Sequence, residues 1–479
     1  MKSSIVKYAC GFVVTSLLVA CQVAAAASLD GLWRSRGYGT ILDIRREQAT
    51  VYDVNHVVCL KRERQVGVAE HLFREPRLSA DGRVLTAISA EGFTILYYDR
   101  IDQLPPRCSP SPPPNDHDPV LNFDAFIAWF EDDYAFSARR AIDWSRIRAQ
   151  YRAQVNAQTT DAQLLEIFKA ILRQLQDQHV ALSGEDFYIN AGAPPLYEAW
   201  LQEYLANPEN FPSLEVFAKN KAKELLRPSW NRYFDPGSLH EISDNIVIGR
   251  LRNGEIGYLA VLSESGYSSS DDPAREQAAA ARQLNRAFDE LSGVQSLILD
   301  TRVNFGGDDG IALLLAGRFT AEDRAGLAKC TRHGAHFTPV QGTTIRHAAN
   351  PFTGPVIAFG TAYNVSAGEN FLMMIKDYPN VLVVGERTAG VHSDTLEKAL
   401  PNGWQISISN EAFVAPDGTM YETLGVPPDV LVPYYPDVVK TSGVDPLMEK
   451  ALHVLAARDV KTLMRGAKRV TRGTPSVCR

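Results

Sequence analysis

The spacing of apolar positions divides the 479-residue chain into three stretches of different period. Between 28 and 108 the period is two. Residues 40–44, 49–54, 84–88 and 93–98 alternate in short runs broken at Gly37, Gly39 and Asp81-Gly82, which predicts a small antiparallel β domain. Segment 109–118, dense in proline, predicts a stiff linker. Beyond it the apolar residues recur at threes and fours. Phe123, Phe126, Ile127 and Phe130 share one helical face; Leu164, Phe168, Ile171, Leu172 and Leu175 share another, opened by Thr160-x-x-Gln163 as a capping box. Residues 193–226 read as helical with proline breaks, so 119–242 predicts a helical domain, with His179 just past its second clear helix.

From 243 to 440 strands alternate with helices. Strands are predicted at 246–251, 256–262, 296–299, 356–359, 381–384, 405–409 and 411–414, and helices at 273–291, 310–319 and 366–378. This order predicts an α/β core with parallel pairing, followed by a C-terminal helix and tail over 441–479. With 45% hydrophobic and 22% charged residues, each part can bury a core of its own. The formal net charge of −7 leaves no basic stripe and argues against a nucleic-acid partner.

Segment 1–27 carries Lys2 and Lys7, an apolar run over 9–20 and small residues at 24–27, the make-up of a secretory signal and too short for a membrane span. Leu18-Val19-Ala20-Cys21 also resembles a bacterial lipobox, which would leave Cys21 lipidated and the chain tethered to a membrane. Cleavage after Ala27 is the preferred reading, and places the protein in the periplasm or cell envelope of a bacterium. Cys59, Cys108, Cys330 and Cys478 are an even number in an exported chain, without metal-ligand spacing. Disulfides are expected, with Cys59–Cys108 and Cys330–Cys478 one arrangement among those open.

Candidate chemistry begins at the predicted turn between strand 356–359 and helix 366–378. Ser366 stands at that corner, where a helix N-terminus offers unpaired N–H groups to developing negative charge, as a nucleophile requires. Ser366-Ala-Gly-Glu369 also spells a capping box, in which the serine would merely close the helix end. Upstream, Gly306-Gly307 follows a strand and precedes a helix. It lacks the ending of a phosphate loop, and suits either an oxyanion hole or a tight turn. No His/Cys/Asp cluster has ligand spacing, so no metal or organic cofactor is expected.

The blocks Asp300-x-Arg302-x-Asn304-x-Gly306-Gly307, Ser366-Ala-Gly-Glu369, Gly385-Glu386-Arg387-Thr388-Ala389-Gly390, Leu400-Pro-Asn-Gly403, Asp417-Gly418 and Glu422-x-x-Gly425-Val426-x-Pro428-Asp429 resemble, in order, those of the tail-specific (carboxy-terminal processing) protease family. The resemblance implies a ClpP/crotonase-like core of stacked ββα units and serine peptidase chemistry on a peptide or protein substrate. Ser366 would be the nucleophile, with Ala367 and Gly306 or Gly307 donating to the oxyanion. The processing branch places a lysine base where this chain has Val391. Its tricorn-like branch uses an upstream histidine and a late glutamate, which His179 and Glu422 match, though Gln178 stands where that branch has a serine. His392 is the rival base. Glu422 would either orient the histidine or order the substrate-binding loop. No Gly-rich peptide-clamp module separates the helical region from the core. The remaining readings are a degenerate peptide-binding scaffold and an esterase or amidase acting on a non-peptide substrate.

Overall fold

The computed structural model describes residues 28–46, 48–62, 66–67, 72–89, 92–109, 115–192, 194–270 and 272–456. The predicted leader with Cys10 and Cys21, most of the proline linker's centre, and Cys478 fall outside them.

The α/β core is built on a seven-stranded sheet in the order His240–Glu241, Ile246–Leu251, Ile256–Val261, Ser296–Asp300, Val356–Gly360, Val381–Gly385, Val430–Leu431. Its first two pairings are antiparallel and the rest parallel. Ser296–Asp300, Val356–Gly360 and Val381–Gly385 are buried at every residue, as parallel strands covered on both faces must be. Helices Pro273–Glu290, Asp309–Ala316 and Ala367–Ile375 pack on one face, with Leu284, Ile311 and Phe371 in a common cluster. Helix Ala367–Ile375 is buried at all nine positions, so it is anchored all round rather than along one stripe. Leu372 and Phe371, both fully buried, each contribute about 1.5–3 kcal/mol to that anchorage.

The N-terminal β region is an antiparallel sheet of eight strands, and the pair expected within it, Cys59–Cys108, is a disulfide. Cys330 is disulfide-bonded as well, and the partner expected for it lies beyond the described residues. In the helical region, Pro119–Asp133 and Asp161–Leu172 carry the two predicted faces, and the Thr160/Gln163 capping box is formed. The second part is helical as expected, and it also carries two short strands that were not predicted. Ala181–Ser183 and Tyr188–Asn190 form a four-stranded sheet with Gln405–Ser409 and Thr395–Ala399 of the core. That shared sheet brings His179 to the core: its carbonyl accepts the Ser407 hydroxyl at 2.8 Å, two residues before Ala181, which pairs with Ser407. Long strand Arg324–His333, unpredicted, pairs with Gln341–Ile345 and Glu411–Val414.

Candidate active site

Strand Val356–Gly360 ends and helix Ala367–Ile375 begins within a few residues, and Ser366 takes the turn at φ 56°, ψ −131°. A non-glycine residue in that region is strained by about 1–3 kcal/mol. The capping-box alternative is overturned: the Ser366 side chain makes no cap hydrogen bond. Glu369 is drawn away instead, accepting from the Thr388 hydroxyl, the Gly390 N–H at 2.7 Å and the Val391 N–H at 2.8 Å. The Ser366 N–H donates to the Val391 carbonyl at 3.0 Å. Glu369 thus staples the loop at Val391, where the processing branch has lysine, against the nucleophile's helix. Burial pushes its carboxyl up to about 7.

The Gly306-Gly307 turn lies against this corner. A Cβ on Gly306 would stand 2.6 Å from the Ser366 Cβ and 2.9 Å from the Ala367 nitrogen. The two glycines differ in what their N–H groups do. Gly306 donates to the Asn304 side-chain oxygen at 2.8 Å. Gly307 forms a parallel bridge with Glu264, in which Glu264 N–H donates to the Gly306 carbonyl and Asp308 N–H to the Glu264 carbonyl. That pattern uses the flanking groups and leaves the exposed Gly307 N–H without a partner among the described residues. The Ala367 N–H is likewise unengaged. Among the described residues, two backbone donors near this corner are therefore without partners: Ala367, next to Ser366 in the chain, and Gly307, next to Gly306.

Glu264 was missed by the sequence reading, and Asn304 was seen only as a motif position. Asn304 bridges the turn by donating to the Glu264 carboxyl at 2.8 Å while accepting from Gly306. Asp300 and Arg302, of the same motif, are buried structural ions: Arg302 pairs with Asp300 at 2.8 Å and with Asp445 at 2.6 Å.

His179 is half-buried, its Nδ1 atom enclosed without a partner, and its N–H donates to Asp177 at 3.0 Å. It lies within the electrostatic reach of Glu369, Asp394 and His392. Burial lowers its pKa below 6.5, opposed by Asp177 and Asp394. His392 is only 1% exposed, with Nδ1 donating to the Asn370 amide oxygen at 2.9 Å and Nε2 unpaired, 3.4 Å from Glu369. Burial pushes its pKa down to about 3. No hydrogen bond joins the Ser366 hydroxyl to either imidazole in this structure.

Glu422 contacts neither imidazole by hydrogen bond. Its carboxyl accepts the His392 backbone N–H at 2.8 Å and lies 3.2 Å from Arg140, which also faces Asp177 at 3.5 Å. Burial, reinforced by the neighbouring Asp177 charge, outweighs the Arg140 guanidinium, and the Glu422 carboxyl is pushed up to about 8. Of the two roles expected for it, ordering the loop is the one these contacts resemble. Two cavities adjoin the site. One of about 240 Å³ is lined by His179, and one of about 520 Å³ by Gly307; Thr395 and Glu397 line both. The two cavities adjoin through Thr395 and Glu397, and Ser366 lines neither of them.

Residues 255–432 match Peptidase family S41. The matched region runs from the second antiparallel strand of the core to its last edge strand, and contains the turn, the corner and the stapled loop. A 121-residue segment is 31% identical to the Tricorn protease of Thermoplasma volcanium, covering 25% of this chain and 12% of that protein's length. Among solved structures, a candidate peptidase from Parabacteroides merdae ATCC 43184 aligns over 71% of this chain and 98% of its own at 23% identity, TM-score 0.56. Mature CPAF aligns over 73% and 98% at 10% identity, TM-score 0.51. At those identities the likeness is one of fold.

Proposed function

We propose that the protein is a serine-type peptidase that cleaves peptide bonds of exported proteins through Ser366 and His179. The observation that carries this is the corner itself: a strained, uncapped serine against which the Gly306-Gly307 turn packs, with the Gly307 and Ala367 N–H groups unpartnered among the described residues. The S41 match over the same residues supports it. In the proposed reaction His179 takes the Ser366 proton as Oγ attacks the peptide carbonyl, and the carbonyl oxygen gains charge between the two N–H donors. The tetrahedral adduct collapses as His179 returns the proton to the leaving amine. Water, deprotonated by the same imidazole, then releases the acyl group. His179 suits the task better than His392, since a base whose conjugate acid has a pKa near 3 holds a proton about 10⁴-fold too weakly at neutral pH. Glu422 holds the loop through His392 rather than the imidazole. Esterase or amidase action on another acyl substrate would use the same groups.

The absence of a hydrogen bond between the Ser366 hydroxyl and His179 favours a second reading, a scaffold that binds peptides without cutting them. A fluorophosphonate probe separates the two, because only an activated serine reacts. The expected result is labelling of the wild type, none of Ser366→Ala or His179→Ala, weaker labelling of Glu422→Gln, and full labelling of His392→Ala. An unlabelled wild type sinks the catalytic reading, and labelling lost only in His392→Ala moves the base. Export rests on segment 1–27 and is supported by the Cys59–Cys108 disulfide, which belongs to an oxidising compartment. Among the described residues no helix is long and apolar enough to cross a membrane. Mass spectrometry of the mature N-terminus distinguishes a chain starting at Ser28 from one lipidated at Cys21.

A further inference from the structure

The larger cavity, about 520 Å³, lies between the N-terminal β sheet and the core, and opens beside Gly307. Its core side carries five carboxylates: Asp308, Asp309, Asp394, Glu397 and Glu411. Two cations also line it, and both are already matched. Lys329 pairs with Asp394 and Glu411, each at 2.6 Å, and Arg62 with Asp53 at 2.7 Å. Asp308, Asp309 and Glu397 are left without a cationic partner. Burial raises the pKa of each of these three, so the cavity holds carboxyl groups at a cost that a cation would relieve. A second feature points to a ligand. Asn410 is 1% exposed and lines the same cavity, yet its amide nitrogen has no partner among the described residues. An amide donor left bare beside an oxyanion loop fits a substrate carbonyl. The opposite side, from the β sheet, carries an apolar patch of Leu42, Val51, Leu72, Phe93 and Leu96 beside the polar Tyr38 and Thr40. Among the described residues no three of the acids converge as a metal would require. The cation that fits is one with a long hydrocarbon stem, which lies along an apolar wall while its head reaches carboxylates.

Resting on the peptidase reading, we propose that this cavity is a specificity subsite for a lysine or arginine side chain close to the scissile bond, with the N-terminal β sheet as its apolar wall. The sheet then belongs to the substrate site rather than being an appendage. Binding and cleavage are read separately. Full-length Ser366→Ala protein is titrated at 0.15 M salt with fluorescent peptides of one sequence carrying Lys, Leu or Glu at the varied position. The expected order is Lys tightest and Glu weakest. The Lys advantage should fall roughly 5- to 10-fold in Asp308→Asn/Glu397→Gln, within what two partly exposed ion pairs supply. It should be unchanged in Asp161→Asn/Glu166→Gln, which lowers the net negative charge equally but away from the cavity. In active protein, mass spectrometry of a digested peptide mixture should show Lys or Arg enriched beside the cut. Equal binding of the three peptides, or a Lys preference that survives the cavity double substitution or is lost in the control, overturns the subsite. Probe labelling of the wild type reports on the peptidase reading whatever the binding arm shows.

Discussion

Glycine would relieve the backbone at Ser366, because φ 56°, ψ −131° is a conformation that a Cβ disfavours. Alanine would not. Both substitutions remove the hydroxyl, so their difference isolates the strain held at the corner. Ser366→Gly is expected to be more stable than Ser366→Ala by about 1 kcal/mol, the relief being partly offset by glycine's freer unfolded chain. Urea denaturation of the two inactive variants measures it, and equal midpoints would place no strain at the turn. At His179 the residue-scale prediction concerns pH. Burial lowers its pKa below 6.5, and a general base works only when neutral, so activity should rise with pH through that lowered value and be fully developed at neutrality. The acid limb of kcat/KM should therefore have its midpoint below 6.5. A limb near 3 would instead assign the base to His392.

The Asn304–Glu264 brace acts one level up, on the whole oxyanion turn. Asn304→Ala would free the Gly306 N–H and strip the Glu264 carboxyl of its one side-chain hydrogen bond. The expected cost is about 1–3 kcal/mol of stability, from a buried group left unpaired. With it should come a fall of roughly 10- to 100-fold in kcat at little change in KM, less than the 10²–10³ of a donor removed outright. An unchanged kcat would show that the turn holds without its brace. Asn304 was visible in the sequence as part of a spaced block, but Glu264 was not, because its work is done by a backbone bridge that no side-chain pattern encodes. The strand-to-helix corner was legible from an apolar run followed by helical spacing. The capping box there was misread because Glu369 is claimed by a loop about twenty residues downstream, which is tertiary information. Strand 405–409 was predicted, but the sheet joining it to Ala181–Ser183 was invisible, because the pairing is tertiary and strands of three residues carry too short an alternation to detect. Strand Arg324–His333 was hidden by buried Lys329, which reads as polar, and by a register shift between Ala325 and Ala328.

On the scale of the whole molecule, the N-terminal sheet, the helical region and the core meet at Lys398, and this junction decides whether the proposed cleft has a fixed wall. Lys398 is 1% exposed on core strand Thr395–Ala399. Its ammonium reaches Asp53 of the N-terminal sheet at 2.5 Å and the Gly39 carbonyl at 3.2 Å, and stands 5.0 Å over the ring of Trp129 in the helical region. Asp53 is held below the ordinary carboxylate range by Lys398 and Arg62 against its burial, whereas burial of Lys398 outweighs its one carboxylate partner and lowers its own pKa. The pair is thus asymmetric: Asp53 keeps a second cation, but Lys398 has no second carboxylate in contact. Removing the lysine should cost less than the 3–5 kcal/mol typical of breaking a buried pair, because Arg62 remains with Asp53. We expect Lys398→Met to lose about 2–3 kcal/mol, its side chain still covering Trp129, and Lys398→Met/Asp53→Asn to recover part of that loss. Chemical denaturation measures both, with the lysine-peptide affinity of the Ser366→Ala background followed in parallel. If the sheet is a wall of the cleft, that affinity should weaken in the single variant at denaturant concentrations where the fold persists. A stability loss below 1 kcal/mol would mean that the three parts are held together elsewhere.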